Sequence, residues 1–308
     1  MISRRAFVLA TAGLLAGCTR GSDRPLTIAA GEEGGFYLAF AKLLADQVNQ
    51  ADVGLRCTAV PTQASVANLE LLQSGKADLA LVLADTALTA SKGNSPFTTA
   101  MPLRALGRVY ENYMQLVVRQ DGPIHSLGDL AGKTVSLGAA GSGAALFGTR
   151  MVAAAGIQPT VSHLPLADAV SALAEDRISA LLWSGGVPTP ALADLDNRVG
   201  IRLLSLDGVT PALRAAHGSV YESVLVPSGA YQHVRDTRTI GVANLLVSAP
   251  SLPPEVAGAV VSVLVTRASR LVPQQAVGTQ FLDARTLIGT AGVPLHPGAA
   301  ERYRELHG

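Results

Sequence analysis

The sequence predicts an α/β chain built as two lobes, each a doubly wound sheet, and two observations carry that prediction. Between Leu26 and Asp85 apolar strand-like runs alternate with helical periodicity in the order strand, helix, strand, helix, strand, the pattern of a parallel sheet covered by helices. The plan then recurs after Thr134, so that "LLQSGKADLALV" can be laid on "ALAEDRISALLW". A chain of 308 residues is long enough for two lobes of about 100–200 residues each.

Each element follows from local pattern. "LTIAA" (Leu26–Ala30) reads as a buried strand, Gly31–Gly35 as a turn, and Phe36, Phe40, Leu43, Leu44 and Val48 recur at helical spacing. Leu55–Thr62 reads as the second strand, Ser65–Gln73 as a helix stopped at Gly75, and Asp78–Leu83 as the third strand. "LRALG" adds a strand before the apolar run Met114–Val118, and "DGPIHSLGDLAGKT" gives a turn, a short helix and a loop. Strand, glycine turn and helix begin again at Val135, followed by a helix over Asp168–Glu175 and a strand over Ile178–Trp183. Beyond "PTPALADLDNRVGIRLLSLDG" come another helix and a long irregular section. "TIGVANLLVSAP" is then a strand, and a final long helix opens on Pro253 and Pro254, residues tolerated in a helix's first turn. The expected division is 26–118 with 239–308 as the first lobe and 119–238 as the second, joined by a two-strand hinge at Gln115–Gln120 and Thr239–Ser248.

The N-terminus has the form of an export signal. Two arginines precede a short apolar run, Ala6–Ala16, too short to span a bilayer, which takes about 20 apolar residues. Ser3-Arg4-Arg5-Ala6-Phe7 resembles a twin-arginine signal and Leu15-Ala16-Gly17-Cys18 the lipobox of bacterial lipoproteins. The expectation is a leader over 1–18 with Cys18 as the lipidated first mature residue, a tether over 19–25, and a periplasmic body held at a membrane surface. Only Cys57 would then remain of the 2 cysteines, so no internal disulfide is expected. With 24 Lys+Arg against 23 Asp+Glu, the charge balance argues against nucleic acid as a partner.

At a strand-to-helix turn the first helical amides lack backbone partners and the helix dipole adds positive character, so such turns favour carboxylates and other anions. The candidate contacts are Gly34, Gly35, Phe36 and Tyr37 at the first turn and Gly141, Ser142 and Gly143 at the second. Either turn alone is weak, for "GEEGGF" is neither G-x-G-x-x-G nor G-K-[ST], and turn geometry by itself explains glycines. Glu32 and Glu33 would repel an anion and are placed toward solvent. Ser142 could cap its helix or donate to a ligand. Gln63, Ala64 and Ser65 form a third junction, Asn68 is a contact or a structural amide, and Asp85 stands at a carboxyl strand end or in a simple turn. Tyr37, Tyr113 and Trp183 are pocket walls or core. Arg108 is a charge-assisted contact to a carboxylate or, as the favoured reading, solvent-exposed, and Asp194 and Asp196 read as a solvated loop. There is no G-x-S-x-G elbow, and the histidines show no H-E-x-x-H pairing. No catalytic constellation, metal site or cofactor is expected.

Five ordered segments, "GGFYLAFAKLLADQVN", "TQASVANLELLQSGKADLALVLAD", "LAGKTVSLGAAGSG", "RISALLWSGGVPT" and "PLHPGAAERYRELHG", together resemble the TAXI family of solute receptors that serve TRAP-type transporters. The resemblance implies a type II periplasmic binding fold closing on a glutamate-like amino acid or small carboxylate, and TRAP membrane subunits as partners. It carries site roles onto Gly34, Gly35, Tyr37, Ser65, Asn68, Asp85, Gly141, Ser142, Gly143 and the segment Trp183, Ser184, Gly185 and Gly186. The sequence departs from the family at Gln63-Ala64-Ser65, where "GGS" is usual, and at Glu32-Glu33, where small residues are common. A sensor for a membrane kinase and an ABC-type receptor are the alternatives.

Overall fold

The computed structural model describes residues 23–273, 282 and 284–307. The expected leader and Cys18 lie outside them. The elements of the first repeat are β1 (Arg24–Ala29), α1 (Phe36–Gln50), β2 (Leu55–Val60), α2 (Ser65–Gln73), β3 (Leu79–Leu83) and α3 (Ala84–Ser91). The long β4 (Arg104–Arg119) leads into the second repeat: β5 (Thr134–Ser136), α4 (Gly143–Ala155), β6 (Thr160–Ser162), α5 (Leu166–Ala174), β7 (Ala180–Gly185), α6 (Pro190–Val199) and β8 (Ile201–Leu204). Then come α7 (Thr210–His217), β9 (Tyr221–Val226), β10 (Thr237–Ser248), α8 (Pro254–Thr266), α9 (Ala284–Leu287) and α10 (Pro297–His307).

All ten strands join in one curled sheet in the order β2-β1-β3-β10-β4-β7-β5-β6, with β8 beside β4 and β9 beside β10. The repeat read in the sequence appears as symmetry of that order: β2-β1-β3 on one side and β6-β5-β7 on the other, each parallel within itself. Between them run β10 and β4, antiparallel to each other. They are the two strands that pass from lobe to lobe. Up to Asn112, β4 pairs with β10 and, at Ala105, bridges to Leu295, whereas from Tyr113 it also pairs with β7. The change of partner along β4 falls at Asn112–Tyr113, just ahead of the expected Gln115–Gln120, and the Tyr110–Val118 stretch is one unbroken strand rather than a strand followed by a separate apolar run.

β1 begins at Arg24, within the stretch expected as tether. Its backbone continues the ladder to β2, with the Arg24 N–H on Gly54 O, and Pro25 lacks a neighbour on its other side because β3 meets β1 only at Ile28 and Ala29. The sequence did not resolve α3, β8 or β9, and the region through "VPSGAYQHVRDTR" holds β9 where irregular chain was expected. The α3 segment has no turn residue separating it from β3, and β9 is exposed at Glu222, Ser223 and Leu225, on both of its faces, so neither carries the periodic signal on which such readings depend. Asp196 is also corrected. It is fully buried in α6, where its carboxylate accepts from the Ile201 and His233 amides; those bonds and the His233 ring beside it hold its carboxyl below the usual range against the effect of burial.

One apolar cluster runs from β3 and α3 through the hinge strands to Val135, Phe147 and Met151 of the second lobe. The lobes therefore share a core as well as a hinge. A second cluster lies under α1, α8 and α10, and a third around α5, α6 and Trp183. Among the described residues no helix is long and apolar enough to cross a membrane.

Candidate functional site

The turns that precede α1, α2 and α4 all reach one cavity between the lobes. Its walls include Gly35, Phe36 and Tyr37 from the first turn, Ala64 and Ser65 from the α2 junction, Ser142 and Gly143 from the second turn, and Trp183 and Ser184 from β7. The cavity measures about 30 Å³, room for one or two water molecules. An amino-acid-sized solute enters only if the lobes separate.

Each turn ends its helix differently. Gly35 caps α1 with no side-chain bond, so the first amides of that helix keep only the partners the cleft offers. In α4 the Ser142 Oγ accepts from the Ala145 amide at 3.0 Å. At the α2 junction Ser65 Oγ accepts from Leu83 N at 3.1 Å and lies 3.5 Å from the Tyr37 hydroxyl. A hydroxyl that accepts from an amide still has its proton to donate, so both serines can present O–H to a carboxylate. The cap of α2 is Ala64 at φ 76°, ψ −145°, a region nearly reserved for glycine, at the position where the resembled family has its "GGS".

The lobes touch across the cleft through reciprocal helix caps. Gly141 O of the second lobe accepts from Val66 N and Ala67 N, both at 3.1 Å, at the start of α2. Glu32 of the first lobe returns the contact: its Oε2 accepts from Leu166 N, the first residue of α5, at 2.8 Å. Glu32 is thus corrected from the solvent position expected of it. The unpaired amide at the start of α5 supplies the reason, and burial raises the Glu32 carboxyl above its ordinary range, with the Leu166 bond opposing and Asp168 adding to the rise.

Other expected contacts stand elsewhere. Asp85 is fully buried in the first turn of α3, off the cavity, where Arg150 Nη1 lies 3.3 Å from Oδ2 and the Tyr221 hydroxyl donates to the same oxygen at 3.0 Å. Arg150 Nη2 also donates to Thr89 Oγ1. Burial pushes the Asp85 carboxyl up while Arg150 and Tyr221 pull it down. It is a cross-lobe tie. Asn68 is a structural amide, donating to Ala30 O and Leu81 O and accepting from Thr62. Gln63 is exposed, Gly34 and Tyr113 line separate grooves, and Gly185 is packed behind Trp183. Arg108 is held by Glu111 and Glu222 rather than free in solvent.

Sequence reasoning missed Asn112, which lines the cavity from the hinge itself. Its Nδ2 donates to Ser184 Oγ at 3.2 Å, while Oδ1, on a side chain 1% exposed, has no partner. The signal was available: in "VYENYMQ" alternate residues share a face, and an amide there sits among aromatic rings.

Comparisons with known proteins place this geometry. The model of the NMT1-like family matches residues 28–306, and the chain belongs to that family. A protein from Bordetella bronchiseptica RB50 superposes with a TM-score of 0.61 at 15% identity, covering 94% of this chain and 99% of that one. A ligand-binding component of an ABC-type import system from Staphylococcus aureus, with zinc bound, gives 0.55 at 14% identity over 92% of both chains. A periplasmic transporter protein gives 0.55 at 13% identity over 92% and 93%. The fold is the two-lobed type II periplasmic binding fold.

Proposed function

We propose, from the premise of NMT1-like family membership, that this chain is an extracytoplasmic solute receptor which captures a small carboxylate or amino acid, the class that includes glutamate, between its lobes. The observation that carries the reading is the convergence of the α1 and α4 N-termini, one from each lobe, on one cavity beside the Ser65 hydroxyl. Such a site stabilises an anion through backbone amides and dipoles without a buried cation. Closure would be the signal read by the membrane subunits, as hinge closure around ligand is an established transition. The resemblance to TAXI receptors makes a TRAP-type transporter the first partner to test, with Cys18 as lipid anchor and the periplasm as location. Transport dependent on an ABC-type importer is the second reading, favoured by the likeness to the Staphylococcus aureus component.

Mass spectrometry of the solute released from the purified protein tests capture; a small carboxylate or amino acid is expected, and an unrelated solute class would overturn the reading. Uptake of that solute by cells whose ion gradient is collapsed while ATP is maintained separates the two transporters. Loss of uptake supports the TRAP type; persistence supports the ABC type.

A further inference from the structure

Resting on that receptor reading, we propose that the solute is a zwitterionic amino acid with a single carboxylate and an uncharged side chain, its ammonium received by Asn112 and Glu32. The cavity wall carries both donors and acceptors. Donors gather where α1 and α4 begin: amides without helical partners, and the hydroxyls of Ser65 and Ser142. These suit one carboxylate. Acceptors share that wall, Glu32 in the turn before α1 and Asn112 beside Tyr37 and Ser184. Asn112 Oδ1 is buried without a partner, and a buried acceptor left unpaired costs free energy until a donor reaches it. Glu32 adds a carboxylate to the same wall.

Charge then decides against a dicarboxylate. Among the described residues lining the cavity there is no lysine, arginine or histidine, and the one ionisable carboxyl is Glu32. A second ligand carboxylate would meet no cation and would face a like charge. An ammonium would bring the donor that Asn112 Oδ1 lacks and a charge opposite to that of Glu32. The remaining wall is mostly apolar, with Phe36, Leu83, Ala139 and Ala144 beside the rings of Tyr37 and Trp183, which suits an uncharged, apolar side chain and offers a charged one no charged partner.

Isothermal titration of the full-length protein with alanine, valine, leucine and phenylalanine, with the corresponding acids lacking the amino group, and with glutamate and succinate tests the proposal. At least one of the four amino acids is expected to bind on the order of 100-fold more tightly than its deaminated analogue and than either dicarboxylate. Binding of glutamate, succinate or a deaminated acid within tenfold of the best neutral amino acid would overturn the proposal and leave the receptor reading intact. Failure of every acid in the panel to bind would overturn both. The variant Glu32→Gln supplies a second readout: its preference for a neutral amino acid over glutamate is expected to fall about tenfold, and an unchanged ratio counts against the role of Glu32.

Discussion

The two contacts that cross the cleft do the same structural job with different chemistry. At α2 the cap from the opposite lobe is a neutral carbonyl, Gly141 O; at α5 it is the carboxylate of Glu32. The carbonyl does not titrate and cannot be repelled by a bound acid. The carboxylate does both, and its ordinary ionisation is resisted by burial. Closure on the α2 side is therefore set by shape, whereas on the α5 side it depends on which charges share the cavity.

The largest expected effect comes from breaking the shape-determined side. Gly143 follows the Gly141 turn, and a Cβ there would stand 2.6 Å from Leu83 Cδ1 and 2.7 Å from Ser65 Oγ, both in the first lobe. Gly143→Val should wedge the lobes apart and weaken solute binding by on the order of 100-fold, the equivalent of a 1–3 kcal/mol steric cost, while the melting transition persists. Calorimetry showing wild-type affinity would mean that close approach at this point is not needed.

Next in size is the buried tie behind the turns. Arg150→Ala leaves Asp85 buried without its cation, and a loss of about 3 kcal/mol is expected in denaturant unfolding. Retained stability would show that Tyr221 and Thr86 suffice to hold Asp85.

A third test separates Glu32 from the other acid near the cleft. Burial pushes Glu111, on the hinge strand β4, up to about 7 although Arg108 opposes it. Because the folded value lies above that of the unfolded chain, the folded state binds the extra proton, and this contribution to stability is fully present below about pH 4.5 and lost as pH rises through 7. Unfolding free energy should thus fall by on the order of 1–3 kcal/mol between those limits, and Glu111→Gln should flatten that fall. Any slope that survives in the variant belongs to other groups, Glu32 among them.

The smallest expected effect concerns the receiving end of the Gly141 cap. Ala64→Gly relieves the positive φ of the α2 cap and should stabilise the protein by about 1 kcal/mol, the relief of strain exceeding the added chain entropy of glycine. An unchanged midpoint would mean that the surrounding contacts already offset the strain.

The contrast also explains what the sequence could disclose. The α1 and α2 limits, the strand–turn–helix repeat and the meeting of the two glycine turns follow from local periodicity and from duplication, so Gly35–Tyr37 and Ser142–Gly143 were readable as partners. Glu32 was misread because its acceptor role depends on the α5 N-terminus, 134 residues away, and no local pattern encodes that distance. Asp85 resembled a ligand contact at a strand end, but its cation comes from α4 and its hydroxyl partner from β9, an element without a periodic signature. Asn112 was hidden for the opposite reason: the unbroken β4 was parsed as two pieces, which concealed the point where the strand passes under the cavity.

The central claim, that solute binds between the opposed turns, is tested most directly by the emission of Trp183, the 1 tryptophan in the chain, whose ring forms part of the cavity wall and whose Nε1 donates to Thr189 at 3.0 Å. Titration with the solute recovered from the purified protein should change that emission saturably, with a midpoint equal to the calorimetric Kd, and Gly143→Val should move that midpoint on the order of 100-fold higher. Tight calorimetric binding with Trp183 emission unaltered would place the solute elsewhere and contradict the account.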